Sequence, residues 1–335
     1  MKAAIHARFG PAECVELMEM PDPVPGAGQI LVAVEAAGVT TADWRLRAAA
    51  FPGGFAVFGR LMFGLWRPRQ PIRGTDFAGV VRAVGPGVHR FSVGDAVVGV
   101  LPGGGAHAQM LVVAEDGIVT HRPCNLGAAE AAALPFSGLT ASAFLREFAS
   151  VQAGQQVLIL GASGAVGSSA VQIAAAAGAQ VTAVGGPAAQ ARLRALGAVR
   201  TIDYSQQNRD AWGRDYDLVF DTAGIATYRE AAALLAKTGT FLPLEFGVAE
   251  LWAVIRGWFG RRPRILLRIS SETRAGLEAL MHDVARGALT PVVAARLPFD
   301  EIVAAHRLVE SRHAGGPVIV EMGPERTTAD VARDG

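Results

Sequence analysis

The apolar positions change their period about a third of the way along the chain. From Met1 to about Arg122 they come in short runs broken by Gly and Pro, among them Gln29–Ala36, Gly79–Val84 and Ala96–Val100, the pattern of β-strands joined by tight turns. Around Leu126 the sequence turns alanine-rich with helical spacing. From Gln156 strand-like and helix-like stretches alternate: Val157–Leu160, a helix to about Ala177, Val181–Val184, a helix over Ala188–Leu196, and Asp217–Phe220. Such alternation predicts an α/β fold with a doubly wound parallel sheet. Beyond Ser270 a helix near Arg274–Arg286, a β run at Pro291–Leu297, a helix at Phe299–Glu310 and a strand at Pro317–Glu321 are expected to return to the first unit. The expected division is residues 1–125 with 270–323 as a mostly β unit, 126–269 as the doubly wound unit, and 324–335 as a disordered tail of small and charged residues.

Composition narrows the partners. With 335 residues and 51% hydrophobic content the chain can fill two cores. Its 31 Lys+Arg against 30 Asp+Glu leave no global field to draw in nucleic acid, so a small neutral or amphiphilic molecule fits better. The stretch Phe148–Ala191 carries no charge and is long enough to suggest a membrane span, but Gly154, Gly161, Gly164, Gly167 and Gly178 interrupt it. Buried parallel strands, apolar on both faces, account for it without an integral membrane segment. Lys2, Arg8 and Glu13 precede any apolar run, which argues against a signal peptide and for a cytoplasmic protein. Cys14 and Cys124 stand alone, so neither a disulfide framework nor a thiolate metal site is expected.

The strongest chemical signal is Gly161-Ala162-Ser163-Gly164-Ala165-Val166-Gly167, placed after one β run and at the head of a helix. Glycines there permit a tight turn and close backbone approach, and the free amides at the helix start, carried by Ser163, Gly164, Ala165, Val166 and Gly167, suit a pyrophosphate. The spacing departs from G-x-G-x-x-G, so the flanking strand and helix carry much of the argument for a dinucleotide. Where NAD-binding folds place a carboxylate for the ribose 2′-hydroxyl, this chain has Gly185-Gly186, and no acid occurs between Glu147 and Asp203. NADPH is therefore expected over NADH, which stays possible. The nearest cations, Arg192 and Arg194, read equally as phosphate contacts or as solvated face charges.

These features, together with Gly74-Thr75-Asp76-Phe77-Ala78-Gly79, Val84-Gly85, Gly94-Asp95, Ala132-Ala133-Leu134-Pro135 through Leu139-Thr140-Ala141, and Leu196-Gly197-Ala198 with Ile202-Asp203-Tyr204, resemble the zinc-lacking quinone oxidoreductase branch of the medium-chain dehydrogenase/reductase superfamily. The resemblance runs from about Lys2 to Met322. It implies a GroES-like catalytic domain, an inserted Rossmann domain, a cofactor cleft between them and a homodimer. Zinc-dependent members bind the metal with Cys, His and Cys; the matching places here hold Thr40, Thr75-Asp76 and Ser137, none a soft ligand. No metal is expected, and with no Lewis acid to ionise an alcohol, hydride delivery to a quinone or an α,β-unsaturated carbonyl is the expected chemistry.

Thr40, Asp43 and Arg47 are the catalytic candidates, matching a family stretch with Asn, Asp and Arg; the Thr40 hydroxyl could donate in place of the Asn. Asp43 and Arg47, four apart, read equally as a surface ion pair. The resemblance further implies cofactor contacts from Thr140, from Tyr204 toward the 2′-phosphate, and from Thr222-Ala223-Gly224 beside the nicotinamide ribose. Asp76 reads as a structural turn carboxylate, His107 as packed or facing the cleft, and His89, His121, His306 and His313 as surface residues. Phe51–Arg69 and Leu251–Arg268, rich in aromatics and arginine, read as channel walls, as a basic face for lipid headgroups, or as ordinary packed segments. Two other functions stay open: an enoyl-thioester reductase, and a non-catalytic NADPH-binding sensor.

Overall fold

The computed structural model describes residues 1–51, 56–257 and 263–323. The expected tail lies outside the described residues, as do 258–262 of the second aromatic segment and 52–55 of the first. Two sheets organise the rest. In the first half β1 (Lys2–Ile5) and β2 (Glu16–Glu19) form a hairpin-like pair, and β3 (Gln29–Val39), β4 (Asp76–Val84), β5 (Ala96–Val100), β6 (Met110–Ala114) and β7 (Val119–His121) form an antiparallel sheet. The second half is built on β8 (Gln156–Leu160), β9 (Gln180–Gly185), β10 (Arg200–Asp203), β11 (Tyr216–Asp221), β12 (Leu235–Pro243) and β13 (Arg264–Ile265), all parallel. Strands β14 (Ala295–Pro298) and β15 (Val318–Glu321) then cross back, and β15 pairs antiparallel with β3 from Val318 opposite Val39 to Glu321 opposite Ala36. The fold is an α/β arrangement of a GroES-like unit and a Rossmann unit.

Helices fill the connections: α1 (Thr41–Ala48), α2 (Ala56–Phe63), α3 (Ala128–Ala132), α4 (Pro135–Ser142), α5 (Ala165–Ala176), α6 (Gln190–Ala195), α7 (Tyr228–Ala232), α8 (Val248–Gly257), α9 (Arg274–Ala285) and α10 (Ile302–Glu310). The parallel order is β10-β9-β8-β11-β12-β13, so the chain steps outward from β8 in one direction and then returns to its other side with β11. Loops leaving β8 and β11 diverge, and a crevice opens at their carboxyl ends. Val157, Leu158, Ile159 and Leu160 of β8 are all fully buried, because helices cover both faces of the sheet. That is where the uncharged stretch goes. No described helix is long and apolar enough to cross a membrane.

His306 corrects an expectation. It is buried on α10, on the same face as Ile302, Ala305 and Val309, and its ring stands edge-on to His107 at 5.6 Å. Burial and the neighbouring cations hold it well below the usual histidine range. His6 belongs to the same interior group; Arg73 donates to its Nε2 at 3.2 Å, and burial with that cation lowers it to about 4.

Candidate functional site

The glycine turn has the geometry its chemistry needs. Gly161 closes β8 at φ +69°, a left-handed conformation that an L side chain rarely adopts, and a Cβ at Gly167 would run into the Gly161 carbonyl and the Ala162 backbone. Gly164 is the N-cap of α5 and no side chain caps that end, so the first-turn amides stay open. Ser163, Gly164, Ala165 and Val166 line a cavity of about 1040 Å³ between the two units; Gly167 sits behind them as the close-packing position.

The rim beyond β9 is neutral. Gly185 lines the cavity with Tyr204, and Gly186 lies beneath the Tyr204 ring, whose hydroxyl would be 3.4 Å from a Cβ there. Asp203, the first acid after the glycine turn, is buried and turned into its own loop, where its Oδ1 accepts from the Ser205 amide and hydroxyl. Arg192 is half-buried rather than a solvated face charge. Its Nη2 donates to the carbonyls of Ser163 and Gly315, which ties the glycine turn to the segment before β15. Arg194 is exposed.

Across the crevice, β11 ends in Asp221, whose carboxylate accepts the amides of Ala223, Gly224, Ile225 and Ala226 at 2.8–3.0 Å. Burial raises its pKa and those four bonds oppose the rise. This carboxylate shapes the Thr222-Ala223-Gly224 loop and was missed in the sequence, where it reads as an ordinary strand end. The Thr222 hydroxyl donates to the Leu160 carbonyl at 2.8 Å, and Thr222 and Ala223 line the cavity while Gly224 does not. Thr140 on α4 lines it too and is buried.

The three catalytic candidates separate. Thr40 lines the cavity, but it is also the N-cap of α1. Its hydroxyl donates to Asp43 Oδ2 at 2.7 Å and accepts from the Asp43 amide, so the hydrogen the sequence offered to a substrate points into the cap. Asp43 and Arg47 are not on the cavity wall, and they are not a surface pair either. Asp43 is buried and its Oδ1 accepts from the Gly74 amide at 2.9 Å. Arg47 is fully buried and reaches Gly10 O and Glu310 Oε2, the latter at 2.5 Å. Both were misplaced because four-residue spacing shows that two side chains share a helix face without showing what the face meets.

Instead the wall on this side takes Asp76 and Ser137 beside Thr40; the resemblance puts the ligands of zinc-dependent members at Thr40, Thr75-Asp76 and Ser137, and of these Thr75 is not on the wall. Asp76 braces the start of α4, accepting from the Phe136 amide at 2.8 Å, and its other oxygen accepts from Thr75. Burial pushes its carboxyl up to about 7 against those bonds. No described group of three His, Cys, Asp or Glu is arranged to hold a metal ion. His107 lies behind the wall, packed on Gly74 and bonded through Nε2 to Gly38 O at 2.9 Å. At the mouth Arg45 and Arg312 converge on Glu245, a trio that joins the two units and that nothing local in the sequence announces.

Comparison with known proteins gives the same frame. A family model described as an alcohol dehydrogenase GroES-like domain matches residues 26–133, and one described as a zinc-binding dehydrogenase matches 196–320. A chloroplast envelope quinone oxidoreductase homolog of Arabidopsis thaliana is 31% identical over 330 residues, 93% of this chain and 95% of that protein. A phthioceranic/hydroxyphthioceranic acid synthase of Mycobacterium tuberculosis is 36% identical over 250 residues, 72% of this chain but only 11% of the synthase. Among solved structures, the quinone oxidoreductase of Coxiella burnetii superposes with a TM-score of 0.84 at 26% identity, covering 96% of this chain and 99% of that one. The CurK enoyl reductase superposes at 0.82 with 25% identity, covering 96% and 99%. With a full-length relative above 30% identity and the same two-unit architecture, the chain belongs to the medium-chain dehydrogenase/reductase superfamily, as a quinone oxidoreductase-like oxidoreductase with a nicotinamide-nucleotide fold.

Proposed function

We propose that the protein is a zinc-independent, NADPH-dependent reductase that delivers a hydride to a quinone or an α,β-unsaturated carbonyl compound, acting as a cytoplasmic homodimer. The carrying observation is that the uncapped amides of α5 and the neutral rim at Gly185 and Tyr204 open onto one cavity with Thr40, Asp76 and Ser137. Ala165 and Val166 amides hold the diphosphate, Tyr204 donates to the 2′-phosphate, and Thr140 and the Thr222–Gly224 loop flank the nicotinamide end. The bound dinucleotide supplies the hydride. Asp43 and Arg47 act as positioning residues that hold α1 from behind, and Thr40 fixes its first turn. The donor set Thr, Asp and Ser does not suit zinc, which favours nitrogen and sulfur ligands.

Titration of the purified protein with NADPH and NADH by fluorescence tests the cofactor. Following NADPH absorbance with a panel of quinones, short enones and enoyl thioesters tests the chemistry; turnover of simple alcohols with added zinc and none of the panel would sink the reading. An enoyl-thioester reductase is the second reading, supported by the enoyl reductase CurK and the synthase among the relatives. Turnover confined to thioesters would favour it.

A further inference from the structure

The segment between Asp43 and Asp76 contains no acidic residue, and its six arginines divide into two groups. Arg45, Arg47 and Arg73 turn inward, to Glu245, Glu310 and His6. Arg60, Arg67 and Arg69 are exposed, and none makes an ion pair with a described residue. Around them the surface is apolar. Leu61, Met62, Leu65 and Trp66 all stand in solvent, Trp66 at 86% of its full exposure.

A surface helix normally turns one apolar stripe inward and a polar face outward. Helix α2 has apolar residues on both sides of its last turn. Phe63 stacks on Phe51, ring centroids 5.9 Å apart and 13° from parallel, and both rings line the cavity. Leu61 and Met62 point the other way. Arg60 donates to Leu65 O at 3.4 Å and Arg69 to Leu61 O at 3.2 Å, both exposed bonds within the same surface segment. Clustered exposed apolar groups ringed by cations, with a tryptophan among them, are the chemistry of an anionic bilayer surface. A second copy of this chain fits poorly, because a two-fold contact through the patch would set three arginines against three.

We infer that α2 and the loop through Arg69 form a docking surface for an anionic lipid bilayer, with the Phe51/Phe63 stack carrying the cavity wall to the lipid side. An apolar acceptor then enters from the membrane interior without crossing water. The docking surface does not depend on the proposed reductase function; only the entry route for an apolar acceptor rests on it.

Sedimentation of the full chain with phosphatidylcholine vesicles, with and without phosphatidylglycerol, tests the surface. Binding should require the anionic lipid and weaken with salt. Each of Arg60→Gln, Arg67→Gln and Arg69→Gln should weaken it about fivefold, and Leu65→Ser with Trp66→Ser should weaken it more than tenfold, while circular dichroism and the thermal midpoint stay as in the parent. Failure to bind anionic vesicles at low salt overturns the inference, as does parent-like binding by the variants. If Trp66→Ser instead turns a dimer into monomers in analytical ultracentrifugation, the patch is a self-contact and the lipid assignment falls.

Discussion

Arg45 Nη2 and Glu245 Oε2 meet at 2.5 Å across the mouth of the cavity, one from α1 of the GroES-like unit and the other from the loop after β12 of the Rossmann unit. Each side chain is less than one-fifth exposed, so water screens the pair less than an ordinary surface contact. Removing Glu245 leaves Arg45 and Arg312 facing each other without a carboxylate. A double-mutant cycle with Arg45→Ala and Glu245→Ala should show a coupling of about 1 kcal/mol in urea unfolding, and Glu245→Ala should raise KM for the acceptor more than it lowers kcat. Additive single effects would show that the contact contributes nothing.

Two glycines of the same turn should respond in opposite ways to alanine. At Gly164 the nearest atom to an added Cβ is the Gly161 carbonyl at 3.3 Å, so the fold should lose no more than about 0.5 kcal/mol. The methyl would stand before the open amides, and NADPH affinity should fall at least tenfold. At Gly167 the added methyl collides with backbone, and a loss of roughly 2–3 kcal/mol is expected. Thermal midpoints beside NADPH titrations separate the two; equal stability losses would contradict this division of roles.

The choice between the two nucleotides should reverse at Gly186. The closest atom to a Cβ there is the Tyr204 hydroxyl at 3.4 Å, and the backbone, at φ −71°, suits any residue. Gly186→Asp therefore places a carboxylate where it accepts from a 2′-hydroxyl and repels a 2′-phosphate. The ratio of NADPH to NADH affinity should drop by roughly a hundredfold, about 2.7 kcal/mol. An unchanged ratio would mean that the 2′ position lies elsewhere.

Acid should unfold the protein earlier than its carboxylates alone predict. In the unfolded chain His6 and His306 take up protons near pH 6.5, whereas His6 in the fold resists protonation down to about 4 and His306 is also held well below its ordinary value. Their contribution is intact above 6.5 and is lost as pH falls from there toward the folded pKa values. Each histidine should contribute a decline that approaches about 1.4 kcal/mol per pH unit below pH 6.5, while Asp76, raised to about 7 in the fold, contributes a rise of similar size over the same range. His306→Asn should remove one proton's worth of that slope. A His306→Asn variant that keeps the parent's pH slope would refute the argument.

The sequence made β8, the glycine turn and α5 legible because all three are written in consecutive residues: an apolar run, glycines where the backbone turns, and a helix without charges. The burial of His306 is legible too, in its helical spacing with Ile302, Ala305 and Val309, although its neighbour Arg307 suggests a surface position. Strand β12 is not legible in the sequence because Lys237, Thr238 and Gly239 interrupt its apolar pattern, and its pairing with β11 carries a register shift there. Arg192 on Gly315, Arg47 on Glu310 and Arg45 on Glu245 bring together residues 123, 263 and 200 positions apart, and no local pattern encodes such distances.

The return of β11 to the far side of β8 has an evolutionary corollary. One bank of the crevice is set by the glycine turn, which steric crowding at Gly161 and Gly167 keeps from changing. The opposite bank is assembled from α1, Phe51, Phe63 and the stretch from Arg312 to Ile319, where side chains can be exchanged without disturbing that turn. Lineages built on this plan can therefore diversify in what they reduce while inheriting their electron source unaltered.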